Sequence, residues 1–409
     1  MSESKLVFSP RRYSEVYLPD YSGNSLYNLS KSVVSRFART SSGVMNSFSD
    51  LLKHDKVVVL LVDGLGYMQL MAARSRVPTV ESVLKKSTEI RQATTVFPST
   101  TSTVLSTFNA AQTPAEHGII GYTMYVRELG SVVNTISFSP AAERGDGAFE
   151  RAGLPPSYLY PQRTIYQELA LGGTHSRVIA PDYLAGTVLS KTLYNGAERI
   201  KYSQMSDLFV SLRKVILDES HDEEFIFAYW SGIDKVSHRY GPSTEEYDGE
   251  MNVLFHGLLT ELLDRIAGTD ACIIVTADHG HMYIPQGSFH DISGDTELLS
   301  TMSIPPTGDS RALFLHAHDP EAMDNLSRSR FSETSVIVES EKAVSEGFFG
   351  SPTLGPALRN RLGERIVLPY KAHSYVYRYP TFDPRIMYGN HGGLSLDELL
   401  VPLIVLESS

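Results

Sequence analysis

The stretch Val57-Val58-Val59-Leu60-Leu61-Val62 is followed at once by Asp63-Gly64. A continuous β-branched and aliphatic run without polar alternation predicts a strand covered on both faces, as in a parallel sheet. Its abrupt end puts a carboxylate at the edge of that sheet. Similar runs recur further along the chain. Arg177 to Ala180 precedes Pro181-Asp182, Glu224 to Tyr229 ends shortly before Asp234, and Ala271 to Thr276 ends just before Asp278. Segments with helical spacing, such as Thr164 to Leu171 and Tyr247 to Ile266, lie between them. This alternation predicts an α/β fold, a central and mostly parallel sheet with helices on both faces. In such sheets functional groups gather beyond the carboxyl ends of the strands. Asp63, Asp234 and Asp278 are expected there.

At 409 residues the chain suits one large domain with an insertion, or two to three small ones. Residues 1–50 are polar and Ser/Tyr-rich and are expected to form an extension packed on the core. Residues 51–282 and 389–409 form the expected catalytic core. Residues 283–388 read as an inserted α+β cap. It has helix-like pieces at Glu321 to Arg328 and Ala343 to Glu346, and strands at Arg311 to Leu315 and Ile366 to Leu368. Leu394 to Leu406 should return to the core as a helix and a last strand.

Asp plus Glu number 47 against 36 Lys plus Arg, a formal net charge of −11. That balance opposes a basic groove for long nucleic acids. It does not oppose a small anionic substrate if cations supply positive charge. One cysteine, Cys272, excludes an internal disulfide and a thiolate metal cluster. Inside an apolar strand it reads as a small hydrophobe. No apolar run reaches membrane-spanning length, and the first residues lack a signal-peptide pattern. The expectation is a cytoplasmic protein without membrane contact. Homo-oligomerisation stays open.

Asp234 and His238 are four apart in Gly-Ile-Asp-Lys-Val-Ser-His, so on a helix they face one way. Asp278-His279-Gly280-His281 follows the strongest apolar strand, and His391 stands in Asn-His-Gly-Gly. Three aspartates and several histidines at one sheet edge are the ligand inventory of a two-metal site built from oxygen and nitrogen. Buried carboxylates do not cluster readily without cations. Residues 94–107, TTVFPSTTSTVLST, are dense in hydroxyls. A hydroxyl at the start of a helix can act as a nucleophile while helix N–H groups hold phosphate oxygens. Composition leaves Thr100, Thr101 and Ser102 as candidates.

At these residues the sequence resembles the alkaline phosphatase superfamily, in its nucleotide pyrophosphatase/phosphodiesterase-like branch. The resemblance covers about Val57 to Tyr125, Phe225 to His281, and the end from Gly389. It rests on Asp63 after the first strand, on Val96-Phe97-Pro98-Ser99-Thr100-Thr101, on Tyr229 to Pro242 with Asp234 and His238, on Asp278-His279-Gly280, and on His391. It implies an alkaline phosphatase-like core and Thr101 as the catalytic nucleophile. It implies two divalent ions, zinc by ligand type, with manganese or iron also fitting. One ion would be held by Asp234, His238 and His391, the other by Asp63, Asp278, His279 and the Thr101 oxygen. Thr101 would attack phosphorus in line and form a phosphothreonine that water then hydrolyses.

Two departures stand out. Family phosphodiesterases often carry Phe after the nucleophile, where this chain has Ser102. They often hold a phosphate oxygen with Asn, where this chain has Gly121-Tyr122. The resemblance makes Tyr122 a substrate-binding candidate through its hydroxyl and Tyr229 one that packs a nucleobase. His281 is read as orienting a metal ligand rather than binding an ion. Arg311 reads as a structural ion pair, and His290 and His373 as ordinary polar residues. The His-Gly-x-x-Gly-Tyr variant resembles a prokaryotic subgroup that includes cyclic-dinucleotide phosphodiesterases.

The expected activity is two-metal hydrolysis of nucleotide-type phosphodiesters, with a small phosphodiester as partner. One alternative is phosphomonoester or phosphonate hydrolysis at the same metals. The other is a non-catalytic protein that binds phosphate ligands.

Overall fold

The strand Lys56–Val62 lies in the middle of a seven-stranded sheet in the computed structural model, which describes residues 9–39, 48–380 and 386–408. Across the sheet the order is Glu89–Thr94, Leu400–Glu407, Ala271–Thr276, Lys56–Val62, Glu224–Trp230, His175–Pro181 and Glu198–Tyr202. Only Leu400–Glu407 runs antiparallel to its neighbours. Val57 to Val62 are fully buried, as are the aliphatic residues of the two flanking strands. A strand with helices over both faces has no wet side, so an unbroken apolar run is the pattern it needs.

Glu89–Thr94 escapes a reading by hydrophobicity because it is an edge strand. Arg91 on it bonds Glu89 Oε1 at 2.5 Å and also pairs with Asp50. Charged edge residues of this kind discourage pairing with another chain. Leu396–Leu399 and Leu400–Glu407 supply the expected closing helix and strand.

A second seven-stranded sheet is antiparallel throughout. Its order is Ser335–Glu339, Arg365–Pro369, Ala312–Ala317, Met302–Asp309, Thr123–Val126, Ser131–Asn134 and Ser139–Pro140. The segment 302–369 thus joins strands from 123–140 in one sheet, through the pairing of Gly308 with Thr123. Leu313, Leu315, Met323, Phe331 and Val367 give this part a small core of its own. Arg311 and Glu398 form a fully buried ion pair, 2.8 Å from Nη2 to Oε2, that ties the segment to the last turn of the main fold.

Within residues 1–50, 1–8 and 40–47 lie outside the described residues. Helix Leu26–Phe37 starts at Ser25, whose hydroxyl accepts from the N–H of Asn28, and buries Leu26, Leu29, Val33 and Phe37. The Tyr17 N–H donates to Leu394 O at 3.0 Å, which seats this segment beside the C-terminal elements. Among the described residues, no helix is long and apolar enough to cross a membrane.

Candidate active site

Register builds the site. Val62 pairs with Trp230, and Leu61 with Thr276, so three strands end at one level. The Asp63 N–H donates to Trp230 O at 2.8 Å, and the Asp234 N–H donates to Asp63 O at 3.0 Å. The Gly64 N–H donates to Asp278 Oδ1 at 3.0 Å. Gly64 has φ +78°, and a Cβ there would stand 2.4 Å from His281 Cε1. Only glycine fits that turn at no cost.

Two groups of ligand atoms result. In the first, Asp234 Oδ1 lies 3.1 Å from His238 Nε2, 3.0 Å from His281 Nε2 and 3.8 Å from His391 Nε2. Asp234 and His238 are one turn apart on helix Gly232–Tyr240, as their spacing predicts. In the second, His279 Nε2 lies 3.5 Å from Asp63 Oδ1 and 3.5 Å from Asp278 Oδ2. Asp234 also stands within ligand spacing of Asp63 and His279, so it touches both groups.

The residues fit divalent ions on their own evidence. Asp63 Oδ1 and Asp278 Oδ2 are buried without any hydrogen-bond donor. Burial, then the neighbouring Asp278 and Asp234 charges, push the Asp63 carboxyl well above its ordinary range. Burial likewise pushes Asp278 up to about 7. Burial lowers His391 to about 3 and His279 well below its usual value, which leaves both as neutral imidazoles, the form that binds metal. Atoms this costly to bury without partners mark where cations belong.

Thr101 opens helix Thr101–Ala110, and its Oγ1 lies 3.4 Å from His279 Nε2. The neighbouring hydroxyls are engaged elsewhere. Thr100 donates to Asp309 Oδ1 at 3.1 Å, and Ser102 is buried and donates to Gly121 O at 3.3 Å. Of the three candidates, Thr101 is the one facing the ligand groups.

A cleft of about 1030 Å³ opens over Thr101, Asp234, His238 and His391. Tyr122, Tyr375, Tyr377, Tyr379 and Tyr388 line it, with Lys235 and Arg239 on the metal-motif helix. Tyr122 therefore lies where a substrate can meet it. Tyr229 does not. It is 4% exposed and its hydroxyl donates to Asp63 Oδ2, so the expected base-packing role is corrected to holding Asp63. The strand Glu224–Trp230 turns this side chain inward beneath the ligands, away from the cleft.

Two cleft residues were not anticipated from the sequence. Asn134 Oδ1 accepts from the N–H groups of Ile136 and Ser137 at 3.0 and 3.1 Å, which leaves its NH2 for Tyr122 and the cleft. Asp309 accepts from Thr100 and from the Tyr122 N–H, and burial pushes its carboxyl up to about 7. Asp309 ends the strand Met302–Asp309, whose sequence MSIPPTGD lacks the apolar run that precedes Asp63 and so gave no such signal. Asn134 carried none. His290 and His373 bond each other at 2.9 Å.

The family model for type I phosphodiesterase / nucleotide pyrophosphatase matches residues 57–302, more than half of the chain. The chain belongs to that family. Among solved structures, murine ectonucleotide pyrophosphatase / phosphodiesterase 5, an inactive variant in complex with AMP, is similar at 16% identity and TM-score 0.61, over 85% of this chain and 87% of that one. The human protein of the same name is similar at 14% identity and TM-score 0.60, over 85% and 87%. Phosphonoacetate hydrolase from Sinorhizobium meliloti, in complex with phosphonoacetate, is similar at 18% identity and TM-score 0.60, over 86% and 89%. Such identities establish the alkaline phosphatase-like fold. No curated protein matches in sequence.

Family, fold and the two ligand groups make this member of the type I phosphodiesterase family a metal-dependent hydrolase. One expectation is overturned. The cytoplasmic location does not stand, because the similar structures include murine and human proteins named ectonucleotide pyrophosphatase / phosphodiesterase 5. The expectation rested on the lack of a signal-peptide pattern and of a long apolar run, and neither feature decides location.

Proposed function

We propose that this family member is a two-metal phosphodiesterase that hydrolyses nucleotide-type phosphodiesters through a phosphothreonine at Thr101. The observation that carries the reading is the placement of Thr101 Oγ1 3.4 Å from His279 Nε2, which itself lies 3.5 Å from both Asp63 and Asp278. Asp234, His238 and His391 would hold one ion. Asp63, Asp278 and His279, with the Thr101 oxygen, would hold the other. When bound, the ions supply the positive charge that stabilises charge developing on the phosphoryl group and the leaving oxygen.

The chain's own groups do the rest. Thr101 sits at a helix N-terminus, where free N–H groups favour phosphate oxygens. Its oxygen attacks phosphorus, the ester oxygen departs, and water then cleaves the phosphothreonine to restore the hydroxyl. Tyr122 and the Asn134 NH2 are placed to hold a non-bridging oxygen in the role the family gives to another Asn. The five cleft tyrosines offer faces for nucleobases. A cleft of about 1030 Å³ suits a substrate as large as a dinucleotide, and cyclic dinucleotides are the first to try.

The test compares bis-p-nitrophenyl phosphate with p-nitrophenyl phosphate, using wild type and T101A. The diesterase rate should exceed the monoesterase rate and collapse in T101A. Full diesterase activity in T101A would sink the mechanism. A clear preference for the monoester would move the assignment to phosphomonoester or phosphonate hydrolysis. A panel that includes cyclic dinucleotides names the substrate.

A further inference from the structure

We infer that His281 is itself a metal ligand, so that the first ion is held by one carboxylate and three imidazoles. This rests on the two-metal reading above and adds a residue to it.

Each of the four site histidines directs Nδ1 at a backbone carbonyl. The partners are Gly389 O for His238 at 2.7 Å, Ser99 O for His391 at 3.0 Å, Gly280 O for His279 at 3.1 Å and Gly64 O for His281 at 3.3 Å. A carbonyl oxygen only accepts, so Nδ1 carries the proton in each case. In a neutral imidazole that leaves a bare lone pair on Nε2, the arrangement by which proteins present histidine to a metal. His281 shares this geometry with the three histidines already assigned to ions.

The Nε2 of His281 faces Asp234 Oδ1 at 3.0 Å, and those of His238 and His391 face the same oxygen at 3.1 and 3.8 Å. Lone pairs aimed at a carboxylate oxygen repel unless a cation joins them. A single divalent ion resolves the conflict. Ligand atoms each about 2.0–2.1 Å from a tetrahedral zinc lie about 3.3 Å from one another, and the three distances bracket that value. The three rings are mutually 5.1–5.4 Å apart between centroids, grouped about one point. Gly64 leaves the room, since any larger residue would displace the His281 ring.

Two consequences follow. Three imidazoles select zinc or iron over magnesium or calcium, which prefer oxygen. Four protein ligands also fill a tetrahedron, so this ion must accept a fifth partner to contact substrate.

Zinc-loaded wild-type crystals give the direct measurement. The expected result is His281 Nε2 within about 2.3 Å of the first ion. An Nε2 more than about 3 Å from the ion, bonded only to Asp234, overturns the inference. H281M loaded with Co2+ provides an independent reading. Loss of a nitrogen ligand should change the visible absorption bands and release one ion at a chelator concentration at least about 10-fold lower than for wild type. Cobalt bands identical to wild type would mean that His281 only orients Asp234. A wild type that takes up no ion overturns the proposed function as well, whereas the first two failures leave it intact.

Discussion

Ser99 carries His391. The Ser99 carbonyl accepts from His391 Nδ1 at 3.0 Å, while its hydroxyl donates to Gly393 O at 2.8 Å and accepts from the Gly392 N–H at 3.1 Å. The residue two before the nucleophile thus sets the position of the last ligand. The approach to Thr101 and the loop 391–393 behave as one unit, although almost 300 residues separate them along the chain.

S99A should loosen that loop without touching the nucleophile. The hydroxyl makes two buried bonds, so the loss of stability should be about 1–3 kcal/mol. Urea unfolding measures it. Metal retention against a chelator should fall in parallel, and unchanged retention would argue that the loop is held by Arg311 and Glu398 instead.

Y229F separates two roles for one tyrosine. It keeps the ring and deletes the hydroxyl that Asp63 accepts. We expect kcat to fall and metal affinity to drop about 10–100-fold, with KM for a nucleotide ester little changed. A rise in KM alone would restore the base-packing role.

R311M should be among the most damaging changes far from the chemistry. Arg311 and Glu398 are both fully buried, and Glu398 Oε1 also accepts from the Gly393 N–H at 2.9 Å. Removing one partner leaves a buried, uncompensated charge, at a cost of about 3–5 kcal/mol. The double variant R311M/E398L should lose less than R311M alone, as read by unfolding free energies.

Asp309 makes stability depend on pH. Burial raises its carboxyl from an ordinary 3.8 to about 7 in the folded protein. Between those values the folded state keeps a proton that the unfolded chain has lost. Its contribution is therefore present below about pH 4 and is lost as pH rises to about 7. D309N cannot titrate there. The stability of D309N relative to wild type should increase by about 1 kcal/mol or more from pH 5 to pH 8. A constant difference across that range would refute the raised value.

N134A tests the phosphate clamp. Its NH2 faces the cleft beside Tyr122, and loss of a donor to a charged oxygen should lower kcat/KM by about 10-fold or more. Stability should also fall slightly, because Ile136 and Ser137 lose their acceptor. An N134D variant keeps that acceptor and presents a negative charge to the phosphate, so it should bind substrate worst of all.

Much of the core was open to reading because its signals are local. Strands buried on both faces need continuous apolar runs, and Lys56–Val62, Glu224–Trp230 and Ala271–Thr276 have them. Asp63 and Asp278 follow such runs directly, and the Asp234–His238 spacing is one helical turn. Polar strands gave no such signal. Glu89–Thr94 lies at an edge, and Thr123–Pro140 joins a sheet whose other half is far away in the chain.

What residues 57–281 settle alone is therefore which side chains can reach the sheet edge and that they suit phosphoryl chemistry. The tertiary structure decides what each one faces there. It turns Tyr229 under Asp63, directs Thr101 rather than Thr100 or Ser102 at His279, brings Asp309 against Thr100 beside the nucleophile, and closes three imidazoles on Asp234. Those outcomes depend on strand register and on contacts between distant segments. One residue of slip would reverse every side chain, and no local pattern encodes where a partner strand will stop.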